Sequence, residues 1–328
     1  MLLKNFLRSI SSVLICVVSA TAVTAVSAQS VYPDKLVRIV VPYSPGGTTD
    51  TAARLVANKL TENLGKSFIV DNRIGATGTI GTASVARSPA DGYTLLANDT
   101  TYSMLPNLFV KLPWDHATDL IPITTLLTTP VVLLVPANSP YKTLQEFVDA
   151  ARKNPGKFNF GSGGPGSSTH FAAEVFKSQA GINITHIPYK GGGDAIAGLI
   201  SNQIDMLIDA PPTAMPHVKG GKARALAISS LQRIAPMADV PTFAESGFPS
   251  YTVVNWFGLA APKGTPKEIV MKLQTEVRKA LNSPDLHERI VQLGAEPGGI
   301  EPEAYAKLIQ NDTRRWAQLA LEIGIKPQ

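Results

Sequence analysis

One local pattern occurs twice and limits the architectures open to this 328-residue chain. Ile39-Val40-Val41 breaks at Pro42 and runs into Pro45-Gly46-Gly47-Thr48-Thr49-Asp50, ahead of a helical pattern. Later, Phe158-Asn159-Phe160 runs into Gly161-Ser162-Gly163-Gly164-Pro165-Gly166-Ser167-Ser168-Thr169, and a helical pattern follows again. A strand that turns through glycines straight into a helix is the building unit of a parallel α/β sheet. The first N–H groups of such a helix have no partner inside it, and they carry the positive end of its dipole. Two corners of this kind, one in each half of the chain, form a candidate clamp for a small anion.

The N-terminus reads as a secretory signal over residues 1–28. Lys4 and Arg8 make a basic start, an apolar stretch runs from about Ile10 to Ala22, and Ala25-Val26-Ser27-Ala28 supplies a cleavage site. The apolar stretch is too short for an ordinary membrane span. The single cysteine, Cys16, lies within it. Ile15 is too bulky beside it for lipoprotein processing, so cleavage leaves a chain with no thiol, no disulfide and no cysteine-bound metal. Losing Lys4 and Arg8 leaves 28 cationic side chains against 25 acids, a net +3, which is too mild to argue for nucleic acid. The expected location is outside the cytoplasm.

Strands and helices alternate along the rest. A helix is expected from about Thr51 to Leu64, stopped by Gly65, with strands at Phe68–Val70 and Tyr93–Ala97. Thr143-Leu144-Gln145-Glu146 is a capping box. Strands follow near Asp205–Asp209 and Ala223–Ser229. The strand-rich stretch from Ile121 to Val135 and the apolar run Thr252–Ala260 cross between two domains. The expected division is 29–124 plus 253–328 for the first and 125–252 for the second. Thr265-Pro266-Lys267-Glu268 opens a helix with Thr265 as its cap. A cleft between the domains is the expected ligand site.

Catalytic readings fare poorly. There is no G-x-S-x-G elbow, and His116, His170, His186, His217 and His287 show no metalloprotease spacing. Gly161, Gly163 and Gly166 spell G-x-G-x-x-G, but the place for a ribose-binding acid holds His186-Ile187-Pro188-Tyr189-Lys190, so no nucleotide cofactor is expected. No catalytic residue, metal or cofactor is assigned. Thr48 and the hydroxyls of Ser162, Ser167, Ser168 and Thr169 stand as donors to an anion. Asp50 is expected to be an N-cap ordering its turn. Asp205 and Asp209 read as a turn residue and a strand-end residue facing the cleft. Tyr43, Tyr102 and Trp256 are candidates to flank a planar ligand body.

Taken in order, the segments form a specific set. They are Ile39 to Pro42, Pro45 to Asp50, Asn72-Arg73-Ile74-Gly75-Ala76-Thr77-Gly78, Asp91-Gly92-Tyr93-Thr94-Leu95-Leu96, Pro188-Tyr189-Lys190-Gly191 and Ala260 to Pro266. The set resembles the Bug receptors, extracytoplasmic solute-binding proteins of tripartite tricarboxylate transporters. The resemblance implies a two-lobed periplasmic binding fold of type II-like α/β class, with a central cleft and two crossover strands. It implies a monomer that captures a small organic carboxylate: a di- or tricarboxylate, an acidic amino acid, or an aromatic acid such as terephthalate. The ligand would pass to the large and small membrane subunits of the transporter.

On this sequence the implied ligand-binding residues are Tyr43, Gly46, Gly47, Thr48, Ala76, Thr77, Gly78, Asn98, Thr100, Ser162, Gly163, Ser167, Thr169 and Asp209. Asp194 stands where the family commonly has proline, and if it faces the cleft it disfavours a second carboxylate. Two other classes stay open: a ligand-presenting partner of a membrane sensor kinase, and a secreted hydrolase.

Overall fold

The computed structural model describes residues 32–322 and 327. The signal expected over residues 1–28, with Cys16, lies outside them. The unit from Lys35 onward carries two sheets.

The chain enters the first sheet with β1 (Val37–Val41), whose Val37, Ile39, Val40 and Val41 are fully buried. It turns through the first glycine corner into α1 (Thr48–Leu64). Ala53, Val56 and Leu60 form the buried face of α1, and Gly65 at φ 66° ends it in the left-handed conformation that glycine adopts without strain. β2 (Phe68–Asn72) lies parallel to β1. A short 3₁₀ turn, Ala76–Gly78, leads to α2 (Thr79–Ala86), and β3 (Thr94–Asp99) pairs with the other side of β1. One helical turn, α3 (Thr100–Met104), follows at once.

The long β4 (Leu120–Pro130) stays in the first sheet to its end, so the chain leaves that sheet at Val131, beyond the boundary expected after residue 124. β5 (Val132–Pro136) begins the second sheet. α4 (Leu144–Lys153) starts with the expected capping box: the Thr143 hydroxyl accepts from the Glu146 N–H, and the Glu146 carboxylate accepts from the Thr143 N–H. β6 (Asn159–Ser162) runs through the second glycine corner into α5 (Ser168–Ala180). β7 (Thr185–Pro188), α6 (Gly192–Ile200), β8 (Met206–Asp209), α7 (Pro211–Lys219) and β9 (Ala223–Ile228) complete this half.

The chain returns with β10 (Val254–Pro262), antiparallel to both β3 and β4. α8 (Lys267–Leu281), α9 (Pro284–Gln292), the short β11 (Glu296–Pro297) and α10 (Pro302–Glu322) follow. The cap of α8 is Pro266, not Thr265, because the Thr265 hydroxyl donates backward to the Pro262 carbonyl. The sheet orders are β11-β4-β10-β3-β1-β2 and β7-β6-β8-β5-β9.

Both passages between the sheets meet at one buried serine. The Ser229 hydroxyl accepts from the Val131 N–H at 2.8 Å and donates to the Val253 carbonyl. The Ser229 N–H donates in turn to the Val131 carbonyl at 2.9 Å. Each sheet has an apolar core, and Phe171 of α5 joins that of the first sheet by packing on Trp316. Phe147, Phe160 and Phe176 centre one in the second half, while Leu96, Tyr305 and Trp316 belong to one in the first. No helix among the described residues is long and apolar enough to cross a membrane.

Candidate functional site

The strands that precede α1, α5, α6 and α7 all deliver their helices with the N-terminus toward one small chamber. Its wall includes Thr48 and Thr49 from α1, Ser168 and Thr169 from α5 and Gly192 from α6, with Asp209 at the end of β8. Thr213 of α7 reaches the same place, its hydroxyl 2.8 Å from that of Thr48. The two glycine corners therefore line a common cavity. Its volume is about 40 Å³, enough for about three water-sized groups, which is the heavy-atom count of a carboxylate. Among the residues lining it there is no Lys, Arg or His.

The corners are held by local bonds. The Asp50 carboxylate accepts from the Gly46 N–H at 3.0 Å, from Arg54 Nε at 3.0 Å and from Asn72 Nδ2 at 2.9 Å. Burial pushes this carboxyl up, but Arg54, the Gly46 N–H and Asn72 outweigh it and hold it below its ordinary value. Asp50 thus orders the corner as expected, though from inside the first helical turn; the capping position belongs to Gly47. In the second corner Ser167 caps α5 by accepting from the His170 N–H, and Thr169 Oγ1 accepts from the Gly163 N–H at 2.8 Å.

Behind the second corner Phe160, His186 and His170 stack face to face, the two imidazoles 3.9 Å apart. His170 Nδ1 accepts from the Gly166 N–H at 2.9 Å, so its neutral form carries the proton on Nε2. Burial, and then the Lys177 charge, lower His170 to about 4. Burial, and then His170, lower His186 to about 4. Both rings are structural supports of the corner.

A second chamber of about 340 Å³ shares Gly163 with the first. One side is the turn Gly75–Gly78, and the other is Gly163–Gly166 with His170, Tyr189 and Lys190; Leu108 and Phe109 give it an apolar wall. Ala76 and Thr77 hold φ of 46° and 51°, a conformation L-residues avoid and which Thr resists most. Gly78 at φ 87° is required by both backbone and space, since a β-carbon there would lie 3.0 Å from the Tyr43 ring. The Thr77 hydroxyl donates to the Pro165 carbonyl at 3.0 Å, which joins the two sides.

Further bonds connect loops of the first sheet to loops of the second. The Ser44 N–H donates to the Lys190 carbonyl at 3.2 Å. The Asp194 N–H donates to Ser44 Oγ at 3.2 Å, and the Ser168 N–H to Thr101 Oγ1 at 3.1 Å. Gly193 packs so tightly on the first corner that a β-carbon would overlap the Pro45 carbonyl oxygen. This is a closed cleft.

The expected residues divide accordingly. Tyr43, Gly47, Thr48, Gly163, Ser167, Thr169 and Asp209 line the inner chamber, and Ala76, Thr77 and Gly78 line the outer one. Four do neither. Gly46 is exposed and serves only as donor to Asp50. Ser162 points away, its hydroxyl 2.6 Å from His186 Nε2. Asn98 accepts from the Tyr305 hydroxyl at 2.7 Å, and Thr100 Oγ1 accepts from the Trp256 N–H at 2.9 Å.

The error at Asn98 and Thr100 is one of facing. Side chains alternate at the end of β3, so Asp99 faces the chamber where Asn98 does not, and in the helical turn that follows Thr101 faces it where Thr100 does not. Asp99 accepts from the Tyr43 hydroxyl at 3.2 Å, from Thr49 Oγ1 at 2.8 Å and from the Thr101 N–H at 2.9 Å. Gly191, from the Pro188-Tyr189-Lys190-Gly191 segment, also lines it, and so do Ser44, Asn255 and Phe257, which no motif announced.

Two aromatic expectations fail as well. Trp256 is a core residue whose Nε1 donates to Asp312 at 2.7 Å, and Tyr102 is buried and stacks on His116. Of the three, Tyr43 alone lines the inner chamber. Asp194 faces a surface groove with Gln203 and Ser201, not either chamber. Tyr189 and Lys190 line both that groove and the outer chamber.

Two α/β halves closed over a polar chamber at converging helix N-termini define a binding protein of the periplasmic kind. Residues 52–325 match the model of the tripartite tricarboxylate transporter family receptor, and the chain belongs to that family. It is similar to the periplasmic binding protein BugD, 34% identical with a TM-score of 0.87 over 90% of this chain and all of that one. It is similar to Rpa4515 of R. palustris, solved with adipate, 35% identical with a TM-score of 0.87 over 90% of this chain and 100% of that one. It is also similar to MatC from Rhodopseudomonas palustris with bound malate, 32% identical with a TM-score of 0.82 over 88% and 99% of the two chains. The chain is thus a solute-binding receptor of the Bug type, not an enzyme.

Proposed function

We propose that this receptor captures a small organic acid in the periplasm, with one carboxylate in the inner chamber and the ligand body in the outer one. The observation that carries the reading is the convergence of four helix N-termini on a cavity of carboxylate size. The ligand-binding set is Tyr43, Gly47, Thr48, Thr49, Thr101, Gly163, Ser167, Thr169 and Asp209 around the headgroup, with Ala76 to Gly78 along the body. Binding rests on oriented dipoles and hydroxyls, because the chamber holds no cationic side chain.

The outer chamber favours a second acid group at the far end. Lys190 and the neutral His170 line it, with Leu108 and Phe109 to cover a short apolar spacer. Adipate and malate, bound by two relatives, have this general form. Each sheet with its helices constitutes one domain, joined at Val131 and near Val253. Release of the signal segment and delivery to the two membrane subunits of the transporter complete the role. A sensor kinase as recipient is not favoured by any residue described.

The experiment is a thermal-shift and calorimetric screen of the mature protein over malate, adipate, citrate, L-aspartate, terephthalate and benzoate. A true ligand raises stability by mass action, by about 2.7 kcal/mol at a hundredfold excess over Kd. Thr48→Ala and Ser167→Ala each weaken that shift. Binding of no acid, or shifts unchanged in both variants, overturns the assignment.

A further inference from the structure

Among the described residues, Asp209 is the chamber carboxylate with an oxygen that nothing satisfies. It is 4% exposed, and its Oδ1 accepts from the Ala210 N–H at 2.7 Å. Its Oδ2 is buried and has no hydrogen-bond partner among the described residues. That oxygen sits where an added β-carbon on Gly192 would touch it, at the N-terminus of α6.

The charged groups around it are acids. Asp99 faces the chamber from the end of β3, and Asp50 from α1. Tyr43, from the first corner, is neutral and donates to Asp99. β10 contributes Asn255 and Phe257, and α5 contributes hydroxyls. On α6, Asp194 lines a groove elsewhere. On α7, His217 and Lys219 sit in the last turn, away from Thr213. Arg54 is engaged with Asp50 on the far side of the corner. A second anion cannot be added to such a chamber beside an ionised carboxylate with one oxygen unsatisfied without strong repulsion.

We propose that Asp209 takes up a proton when a carboxylate binds and donates it to the ligand as a hydrogen bond. The inference rests on the carboxylate reading above and adds the protonation state that makes it electrostatically possible. The proton passes from the solvent buffer to Asp209 Oδ2, and no other bond forms or breaks. Burial, and then the Asp99 charge, already raise this carboxyl to about 7 against the pull of the Ala210 N–H and the Thr213 hydroxyl, and an arriving anion raises it further. A short hydrogen bond between a carboxyl and a carboxylate is of the strong, charge-assisted kind.

The test is calorimetry of the tightest-binding acid of the panel, in buffers of different ionisation enthalpy, which yields protons taken up per ligand bound. Uptake approaches one proton at about pH 8 and falls toward zero at about pH 5.5. Kd is flat at low pH and rises toward about tenfold per pH unit above 7. Asp209→Asn, whose amide also donates, binds with a pH-independent Kd and no proton uptake.

Binding with no proton uptake at about pH 8 overturns this inference and leaves the carboxylate reading intact. Retention of uptake in Asp209→Asn overturns it too. Failure of every acid to bind wild type overturns the carboxylate reading itself.

Discussion

The hydroxyls of Thr48 and Thr213 lie 2.8 Å apart, tying the first turn of a helix from one sheet to the first turn of a helix from the other. Both residues are buried, at 4% and 2% exposure. The bond exists only while the cleft is shut around the chamber, so it contributes to closure and not to the stability of either half.

Thr213→Val keeps the shape of the side chain and removes the hydroxyl. A net hydrogen bond of this kind contributes about 0.5–1.5 kcal/mol. Calorimetry is expected to show a Kd raised by about three- to tenfold. The Tm of the ligand-free protein changes by less than in a core variant. An unchanged Kd disproves the role given to this pair.

Gly193→Ala tests the closed contact sterically. Its new methyl meets the Pro45 carbonyl and prevents the two loops from approaching. The expected outcome is a protein that folds normally, shows a larger radius of gyration by small-angle scattering with ligand, and binds at least about a hundredfold more weakly. Wild-type scattering and affinity in this variant would mean that the approach is not needed for binding.

The stacked histidines predict acid lability. His170 and His186 are held neutral to about 4, below their unfolded value of 6.5. Below 6.5 the unfolded chain binds protons that the native one refuses, so stability is full above that pH and is lost as pH falls from 6.5 toward 4. His186→Asn removes about one proton from that slope in denaturant titrations at several pH values. A slope identical to wild type refutes the coupling.

Asp50→Ala strips three partners from the first corner at once: the Gly46 N–H, Arg54 and Asn72. Its folded pKa lies below the unfolded one, so its contribution is present at neutral pH and disappears as pH falls through the carboxylate range. The expected loss at neutral pH is about 1–3 kcal/mol, with weakened ligand binding because the corner loses its shape. A loss that persists undiminished at pH about 3 assigns the effect to packing alone.

Much of this was legible in advance because it is local. The strand–glycine–helix corners, the Thr143 capping box and the Gly65 stop each depend on a few adjacent residues. α7 was hidden because Pro211, Pro212 and Pro216 read as breakers, though the first two occupy turn positions where no N–H is needed. With α7 went Thr213 and its bond to Thr48. Asp99 and Thr101, not Asn98 and Thr100, face the chamber, and the sequence does not show where β3 ends and its helical turn begins, which sets that facing. Trp256 and Tyr102 show the same limit for aromatics, whose composition does not tell a ligand wall from a core.

The clasp at Ser229 carries a mechanical implication. With Val131 and Val253 fastened to one side chain, neither tether can twist without the other. The geometry points to a swing of the halves about one pin, which a single distance between probes across the mouth would follow. Substituting Ser229 loosens that pin and turns one coordinate into several.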